Sequence, residues 1–281
     1  ANPLPGKRDS METITVIGSL NMDLVVRTPR VPQAGETLAG TDFHIIPGGK
    51  GANQAVACAR AGAPTRLIGC VGDDLFAPQL LQSLEAAGVD VSGVSRLNGV
   101  SSGTATILVD DRGQNRIIYV PGANAGLSTE IIKQQFARSC ETRLVLLQHE
   151  IPLQTVHDII ELAHARDIRV MLNPAPFYPI PERLMAQIDT LILNEIEAGA
   201  LTGLGVVDSQ TARQAAEALL RQGVANVIVT LGEQGALLLG RQGELFQPAF
   251  KVNAVDSTAA GDTFTGGYAA SIMAGEEPPA A

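Results

Sequence analysis

The feature that most restricts the fold of this chain is a regular alternation of short apolar runs with longer segments of helical spacing. Apolar β-rich runs of about 4–8 residues favour buried strands, and apolar residues that recur every three or four positions favour helices. A first strand is predicted at residues 13–19. The later predicted strands are 65–71, 143–148, 168–172, 189–193, 226–230, 235–240 and 244–247, and the predicted helices are 50–62, 75–87, 128–138, 153–166, 209–222 and one beginning near Glu195. This order predicts an α/β fold, with a mostly parallel sheet covered by helices on both faces.

Two stretches interrupt the alternation because their β-rich runs have no helix between them. Residues 24–46 contain such runs, broken by prolines and by Gly35. Residues 103–120 contain two more, on either side of the turn sequence Asp-Asp-Arg-Gly at 110–113. Runs of this kind favour antiparallel strands joined by turns. We therefore expect the two stretches to form a small sheet apart from the main one. Residues 1–10 are polar and rich in proline and glycine, and are interpreted as a leader or an expression remnant.

The composition excludes several classes of function. The chain has a net charge of −9 and no basic tract, so we expect no nucleic-acid partner. Its apolar runs are too short for a membrane span of about 18 residues, and its start lacks a signal-peptide core. The cysteines, at positions 58, 70 and 140, are isolated and form no CxxC pair, which argues against a disulfide framework or a zinc site. We expect a protein of the reducing cytoplasm.

A turn of small residues runs directly into a helical pattern at residues 256–267. The spacing of the apolar residues that follow places Gly261 and Asp262 at the N-terminus of a helix. Backbone N–H groups at such an end are unpaired and attract anions. A carboxylate beside an anion site is suited to take a proton from a nucleophile that attacks a phosphoryl group. The alternative interpretation is that Asp262 only caps the helix.

Polar residues also follow several predicted strands, where α/β proteins place ligand contacts. Asn21 and Asp23 come after the first strand, and Glu150 comes after strand 143–148. Asn194 and Glu197 follow another strand in the same way, together with Glu195. Carboxylates and an amide at a helix entrance can hold Mg²⁺ through water. The alternative for this last group is helix capping with acids in the first turn.

Glycine-rich turns add two further candidates. In the segment 47–55 two glycines precede a helix, and Lys50 and Asn53 share a face of its first turn, which suits a polyhydroxylated ligand. The alternative is a glycine-rich turn with a solvated lysine. The segment 230–235 lies between two β-rich runs, where a nucleotide could rest on glycine backbone. Taken alone, the segment fits a plain hairpin turn better.

These motifs together make the chain similar to the ribokinase family, the PfkB-type sugar and nucleoside kinases. The resemblance extends from about Met11 to the last residue. It depends on three motifs in order, at residues 48–55, 194–197 and 256–264. Within the family it is greatest to the ribokinase branch, through the segments 18–23, 122–124 and 173–176.

The resemblance implies a ribokinase-like three-layer sandwich at residues 11–281 with a small β-sheet lid, whose strands come from about 24–46 and 103–120. It implies ATP-dependent phosphorylation of D-ribose at the 5-hydroxyl. Asp262 would be the general base, and the backbone amides of Ala260 and Gly261 would form the anion hole. The implied sugar contacts are Asn21, Asp23, Gly49, Lys50, Asn53, Glu150 and Asp262. The implied nucleotide contacts are Asn194, Thr230, Gly232 and Gly235, with Glu197 serving Mg²⁺ through water and Asp256 and Thr258 binding an activating K⁺.

The alternatives at this stage are the same chemistry on deoxyribose, another sugar or a nucleoside, or a sugar-binding protein without turnover. The resemblance also implies a homodimer formed through the lid sheet. Ala259 stands where many family members have glycine. Family members continue beyond the position of Ala281, with helices and a loop that wall the adenine pocket and complete the K⁺ site. If the protein ends at Ala281, weaker nucleotide affinity and weaker K⁺ activation are expected.

Overall fold

The computed structural model describes residues 12–136, 141–252 and 258–276. The first eleven residues, Cys140 and Asp256 therefore lie outside the described ranges. The strands, in chain order, are β1 (Thr13–Ile17), β2 (Asn21–Arg27), β3 (Asp42–Gly48), β4 (Thr65–Val71), β5 (Asp90–Arg96), β6 (Gly103–Val109), β7 (Asn115–Val120), β8 (Thr142–Gln148), β9 (Arg169–Asn173), β10 (Thr190–Asn194), β11 (Asn226–Thr230), β12 (Gly235–Gly240) and β13 (Gly243–Pro248). The helices are α1 (Lys50–Arg60), α2 (Phe76–Ala86), α3 (Thr129–Phe136), α4 (Leu153–His164), α5 (Glu182–Met185), α6 (Glu195–Thr202), α7 (Ser209–Arg221) and α8 (Ala260–Met273).

Within these ranges the larger sheet has nine strands in the order β13-β12-β11-β10-β9-β8-β1-β4-β5. All neighbours pair in parallel except β11 with β12 and β12 with β13. Helices α1, α2 and α8 pack on one face, and α3 to α7 pack on the other. The predicted mostly parallel α/β sandwich is confirmed.

Strand β8 shows why the strands of the larger sheet have continuously apolar sequences. Leu144 and Leu146 pack under α1 and α8, whereas Val145 and Leu147 pack under the opposite helix layer. All four side chains are buried. Successive side chains of a strand point to opposite faces, so a strand covered on both faces needs an apolar residue at every position.

The smaller sheet has the order β3-β2-β6-β7. Strands β2 and β3 are antiparallel, and so are β6 and β7, as expected. The two pairs meet through β2 and β6, which run parallel. The expectation of antiparallel strands therefore holds within each stretch but not at their junction, because both β2 and β6 enter the small sheet from the same edge of the main sheet.

The predicted helices agree with the structure to within a few residues at each end, which is the usual uncertainty of helix termini. Strand β5 was not predicted. Its sequence, DVSGVSR, is largely polar, and it lies at the edge of the sheet beside β4. In the part of the chain that the structure describes, no helix is both long and apolar enough to cross a membrane.

Candidate active site

The predicted site residues collect at the carboxyl ends of the parallel strands. Strand β1 lies between β8 and β4. After β1 the chain adds β4 on one side of it, and later it returns to add β8 on the other side. Ligands of open α/β sheets bind in the crevice that this reversal leaves outside the strand ends. Ser19, Asn21 and Glu150 lie there, together with the start of α1.

Asp262 lies in the first turn of α8 and is 6% exposed. The residue before this helix, Ala259, has a left-handed backbone with φ 58°. That conformation is costly for a residue with a Cβ and is easily adopted by glycine. No side chain among the described residues caps the helix. The first N–H groups therefore keep the capacity to bind an anion.

Both oxygens of the Asp262 carboxylate accept a hydrogen bond from α1. Asn53 donates from Nδ2 to Oδ2 over 3.1 Å, and Gln54 donates from Nε2 to Oδ1 over 2.9 Å. Helix α8 lies close to α1 because Gly266 of α8 faces α1. A Cβ at Gly266 would approach the Ala57 Cβ of α1 to 2.4 Å. A carboxylate has about four lone-pair positions, so each oxygen retains one for a substrate proton.

Gln54 was missed by the sequence analysis. Its side chain is fully buried and also donates to Asn173 Oδ1 over 3.2 Å. Its own Oε1 accepts from Gln148 Nε2 over 2.6 Å. The signal was present, because Gln54 interrupts the otherwise small and apolar buried face of α1. A polar residue on such a face must have partners.

A second cluster surrounds the Glu150 carboxylate. Its Oε2 accepts from Ser19 Oγ over 2.6 Å, from the Lys50 backbone N–H over 3.1 Å and from Asn21 Nδ2 over 3.4 Å. Asn21 is in turn fixed by Asn124, whose Nδ2 donates to Asn21 Oδ1 over 2.8 Å. Asn124, which belongs to the motif at residues 122–124, is fully buried.

Asp23, on β2, belongs to the same cluster electrostatically. Burial, with a contribution from the negative charge of Glu150, raises the pKa of Asp23 to about 6. The Asp23 carboxylate lies directly against Gly48, which precedes α1. A Cβ at Gly48 would lie only 2.5 Å from Asp23 Oδ2, so this position has no room for a larger residue. Gly49 has φ 94°, and a Cβ there would meet the Asn21 backbone nitrogen at 2.8 Å. Gly49 thus allows the entrance of α1 to approach the backbone at residues 19–21, where β2 begins.

Lys50 connects the two clusters. It lines a cleft of about 170 Å³ with Asp262, Gly261 and Ala260, and it also lines a second cavity with Glu150. Among the described residues no carboxylate forms an ion pair with its ammonium group. The charge is therefore available to a ligand that lies between the two clusters.

Asn194 and Glu197 also line the cleft. They form a reciprocal capping box, in which the Glu197 N–H donates to Asn194 Oδ1 over 2.8 Å and the Asn194 N–H donates to Glu197 Oε2 over 2.9 Å. The capping interpretation is thus realised, and it leaves Glu197 Oε1 without a role in the cap. Burial raises the pKa of Glu197, and the negative charge of Asp262 adds to this rise. No group of three or more His, Cys, Asp or Glu side chains among the described residues could hold a metal ion directly, so Glu197 could bind Mg²⁺ only through water.

The other residues predicted to contact the nucleotide or K⁺ do not all lie in the cleft. Thr230 lines the cleft, and its hydroxyl donates to the Leu193 carbonyl over 3.3 Å. Gly232 lies in the turn between β11 and β12, and Gly235 is the first residue of β12; neither is among the residues that line the cleft. A Cβ at Gly235 would meet the Gln247 carbonyl of β13 at 2.1 Å, so the close approach of β13 requires this glycine. Thr258 is exposed just before α8, and Asp256 lies outside the described ranges.

Comparison with known proteins gives a consistent result. A family model described as pfkB family carbohydrate kinase matches residues 11–281. A ribokinase of Schizosaccharomyces pombe is 41% identical over 278 residues, which cover 95% of this chain and 87% of that protein. A deoxyribokinase of Salmonella typhi is also 41% identical, over 257 residues that cover 91% of this chain and 84% of that protein.

The fold has a close counterpart among solved structures. The structure of Arabidopsis thaliana ribokinase complexed with ribose and ATP superposes with a TM-score of 0.86 at 31% identity. The match covers 95% of this chain and 88% of that chain.

Proposed function

The chain belongs to the PfkB family of carbohydrate kinases and is a sugar kinase, and we propose that it transfers the γ-phosphoryl group of ATP to the 5-hydroxyl of D-ribose. The observation that carries this proposal is the Asp262 carboxylate at the N-terminus of α8, held by Asn53 and Gln54 beside a cleft that Lys50 also lines. The sugar would lie between this carboxylate and the Glu150 cluster.

In the proposed reaction Asp262 accepts the proton of the 5-hydroxyl as its oxygen attacks the γ-phosphorus. The bond between that phosphorus and the bridging oxygen breaks, and ADP leaves. The N–H groups of Ala260 and Gly261 and the Lys50 ammonium group stabilise the negative charge on the transferred group. Most of the rate enhancement would come from positioning, because phosphoryl transfer requires little covalent chemistry from the protein.

The proposed cofactors are Mg²⁺ and K⁺ in addition to ATP. Glu197 would hold Mg²⁺ through water, and this ion would neutralise charge on the nucleotide phosphates. Thr258 would contribute to a K⁺ site together with Asp256. Asn194 and Thr230 would contact the nucleotide from the cleft, and Gly232 and Gly235 from the adjoining turn.

The lid sheet would close over the sugar and exclude water as a competing acceptor. We also propose that it forms the contact of a homodimer. In support, β3 and β7 expose a row of large apolar side chains, including Phe43, Ile45, Ile117 and Ile118. Exposed apolar patches of this kind are typical of protein interfaces.

Deoxyribose is the second candidate acceptor, because a Salmonella typhi relative of equal identity is a deoxyribokinase. A coupled assay that measures ADP release, with ATP, Mg²⁺ and K⁺, separates the candidates when it is run on ribose, deoxyribose, fructose and adenosine. Ribose is expected to give the highest kcat/KM. Ribose-dependent thermal stabilisation without any phosphorylation would contradict the proposal and favour a binding protein.

Ribose binding is expected to weaken as the pH falls below about 6. The ionised Asp23 carboxylate accepts hydrogen bonds from sugar hydroxyls, whereas the protonated form loses part of this capacity. Since its pKa is about 6, one pH unit below that value should raise the ribose Kd by up to tenfold, the limit reached if the protonated form does not bind. Calorimetric titration between pH 5 and 8 measures this. The variant Asp23→Asn should bind ribose weakly at every pH, and a flat Kd in the parent protein would contradict the role of Asp23.

A further inference from the structure

Two glutamines lie buried behind the Asp262 carboxylate, one on α1 and one at the end of β8. Gln54 and Gln148 are both 0% exposed, and neither lines the cleft or the second cavity. Gln148 Nε2 donates to Gln54 Oε1 over 2.6 Å, and Gln54 Nε2 donates to Asp262 Oδ1 over 2.9 Å. The two amides thus form a hydrogen-bonded chain that begins in the sheet and ends at the proposed base.

The packing of the fold does not require an amide at either position. Gln148 follows Leu144 and Leu146 on the face of β8 that α1 and α8 cover, because alternate side chains of a strand share a face. Gln54 lies among small and apolar residues on the buried face of α1. An apolar side chain at position 148 would continue the row of β8 and would bring no polar atom that needs a partner. The role of the two amides is therefore to be sought in what they hold.

The direction of this hydrogen-bonded chain is set at its Asp262 end. A carboxylate offers only acceptors, so Gln54 must turn its NH2 group toward Asp262. The second N–H of that group donates to Asn173 Oδ1 over 3.2 Å. Only the carbonyl oxygen of Gln54 is then left to face Gln148. Gln148 must present its own NH2 group in turn, and its carbonyl oxygen points away from the chain.

This direction leaves one buried oxygen unsatisfied. In the part of the chain that the structure describes, Gln148 Oε1 has no hydrogen-bond partner. It lies against Gly18, where a Cβ would come within 2.1 Å of it. If the Gln148 amide were turned over, two carbonyl oxygens would face each other across the 2.6 Å contact with Gln54. The arrangement therefore forgoes one hydrogen bond at Gln148 and keeps an N–H donor directed at Asp262.

We propose that Gln148 is a positioning residue for Asp262 and acts through Gln54. The inference rests on the proposed function, in which Asp262 is the general base. Without Gln148, the carbonyl oxygen of Gln54 would be buried without a partner, and it could gain one only if the amide moved away from Asp262. The carboxylate would then keep only the hydrogen bond from Asn53. A base that is less closely aligned with the attacking hydroxyl lowers kcat.

Gln148→Met tests this role, because methionine keeps the unbranched shape of the side chain and continues the apolar row of β8. The kcat for ribose is expected to fall by about 5- to 50-fold. The ribose Kd measured by calorimetry should change by less than about twofold, since Gln148 does not line the site. Gln54→Met should lower kcat by about 10- to 100-fold. The double variant should match Gln54→Met within about twofold, because Gln148 acts only through Gln54.

Thr142→Val is the matched control, since it removes a buried hydrogen bond at the opposite end of the same strand. The Thr142 and Thr15 hydroxyl groups are 2.8 Å apart. This variant should lower the melting temperature at least as much as Gln148→Met does and leave kcat within about twofold of the parent. An equal loss of kcat in Thr142→Val would show that any disturbance of β8 has this effect, and would overturn the inference.

Several other results would overturn the inference and leave the proposed function intact. These are a kcat of Gln148→Met within about twofold of the parent, a raised ribose Kd at unchanged kcat, and effects that multiply in the double variant. Gln148→Leu is the second variant, and loss of folding in both would assign Gln148 to the fold instead. A parent enzyme that phosphorylates deoxyribose but not ribose would overturn only the proposed acceptor, and the same kcat comparison on deoxyribose would decide the role of Gln148. A parent without any acceptor would overturn both.

Discussion

Replacing Asp262 with Asn is expected to lower kcat for ribose by about 10²–10⁴-fold, because the amide cannot take the proton of the attacking hydroxyl. The ribose Kd should change by less than about threefold, since the substitution is nearly isosteric and the other sugar contacts remain. Steady-state kinetics with ADP detection and calorimetric binding of ribose measure the two quantities separately.

The surroundings of Asp262 explain why this variant should stay folded. Gln54 is held by the hydrogen bond from Gln148, so its amide continues to donate toward α8. The amide oxygen of the introduced asparagine can still accept the hydrogen bond from Gln54. The new amide group then faces Asn53, whose side chain can turn over to accept from it.

Asp208→Asn is the matched control for Asp262→Asn. Asp208 also lies at a helix N-terminus, where its carboxylate accepts from the Thr211 backbone N–H over 2.8 Å. Asn caps helices as well as Asp does, so neither stability nor kcat should change. If Asp262→Asn kept kcat within tenfold of the parent, Asp262 would not be the general base. Loss of stability and activity together would indicate a structural role for the hydrogen bonds from Asn53 and Gln54.

The positions of the site residues could be predicted because they depend on local pattern. A strand followed by a helix places the intervening residues at one edge of the sheet, whatever the order of the strands. This is sufficient to bring Asn21, Glu150 and Asn194 to the same side. The competing interpretations could not be separated in this way: Asn194 forms the capping box, and it does so inside the cleft.

The residues that escaped prediction are those whose role depends on contacts between distant segments. Gln54 and Asp262 are 208 positions apart, and their hydrogen bond exists only because α1 and α8 pack closely at Gly266. The parallel junction of β2 and β6 escaped prediction for the same reason.

Replacing Lys50 with Met is expected to lower kcat by about 10²–10³-fold, the usual cost of removing one group that stabilises transition-state charge. Methionine keeps an unbranched side chain, so the effect reports the ammonium group more than the packing. Lys50 lines both the Asp262 cleft and the cavity at Glu150. The ribose KM should therefore rise as well, because in the proposed reaction one charge serves the sugar and the transferred phosphoryl group. Both parameters come from the same ADP-release assay.

The contrast with Asp262→Asn makes the experiment specific. Loss of a base lowers kcat with little change in ribose affinity, whereas loss of a shared cation should change both. Lys133→Met, at an exposed position of α3, changes the net charge of the protein equally and should alter neither parameter. If Lys50→Met raised the ribose KM with kcat unchanged, Lys50 would be a sugar contact only, and the charge on the phosphoryl group would have to be balanced by the amides of α8 and the metal ion.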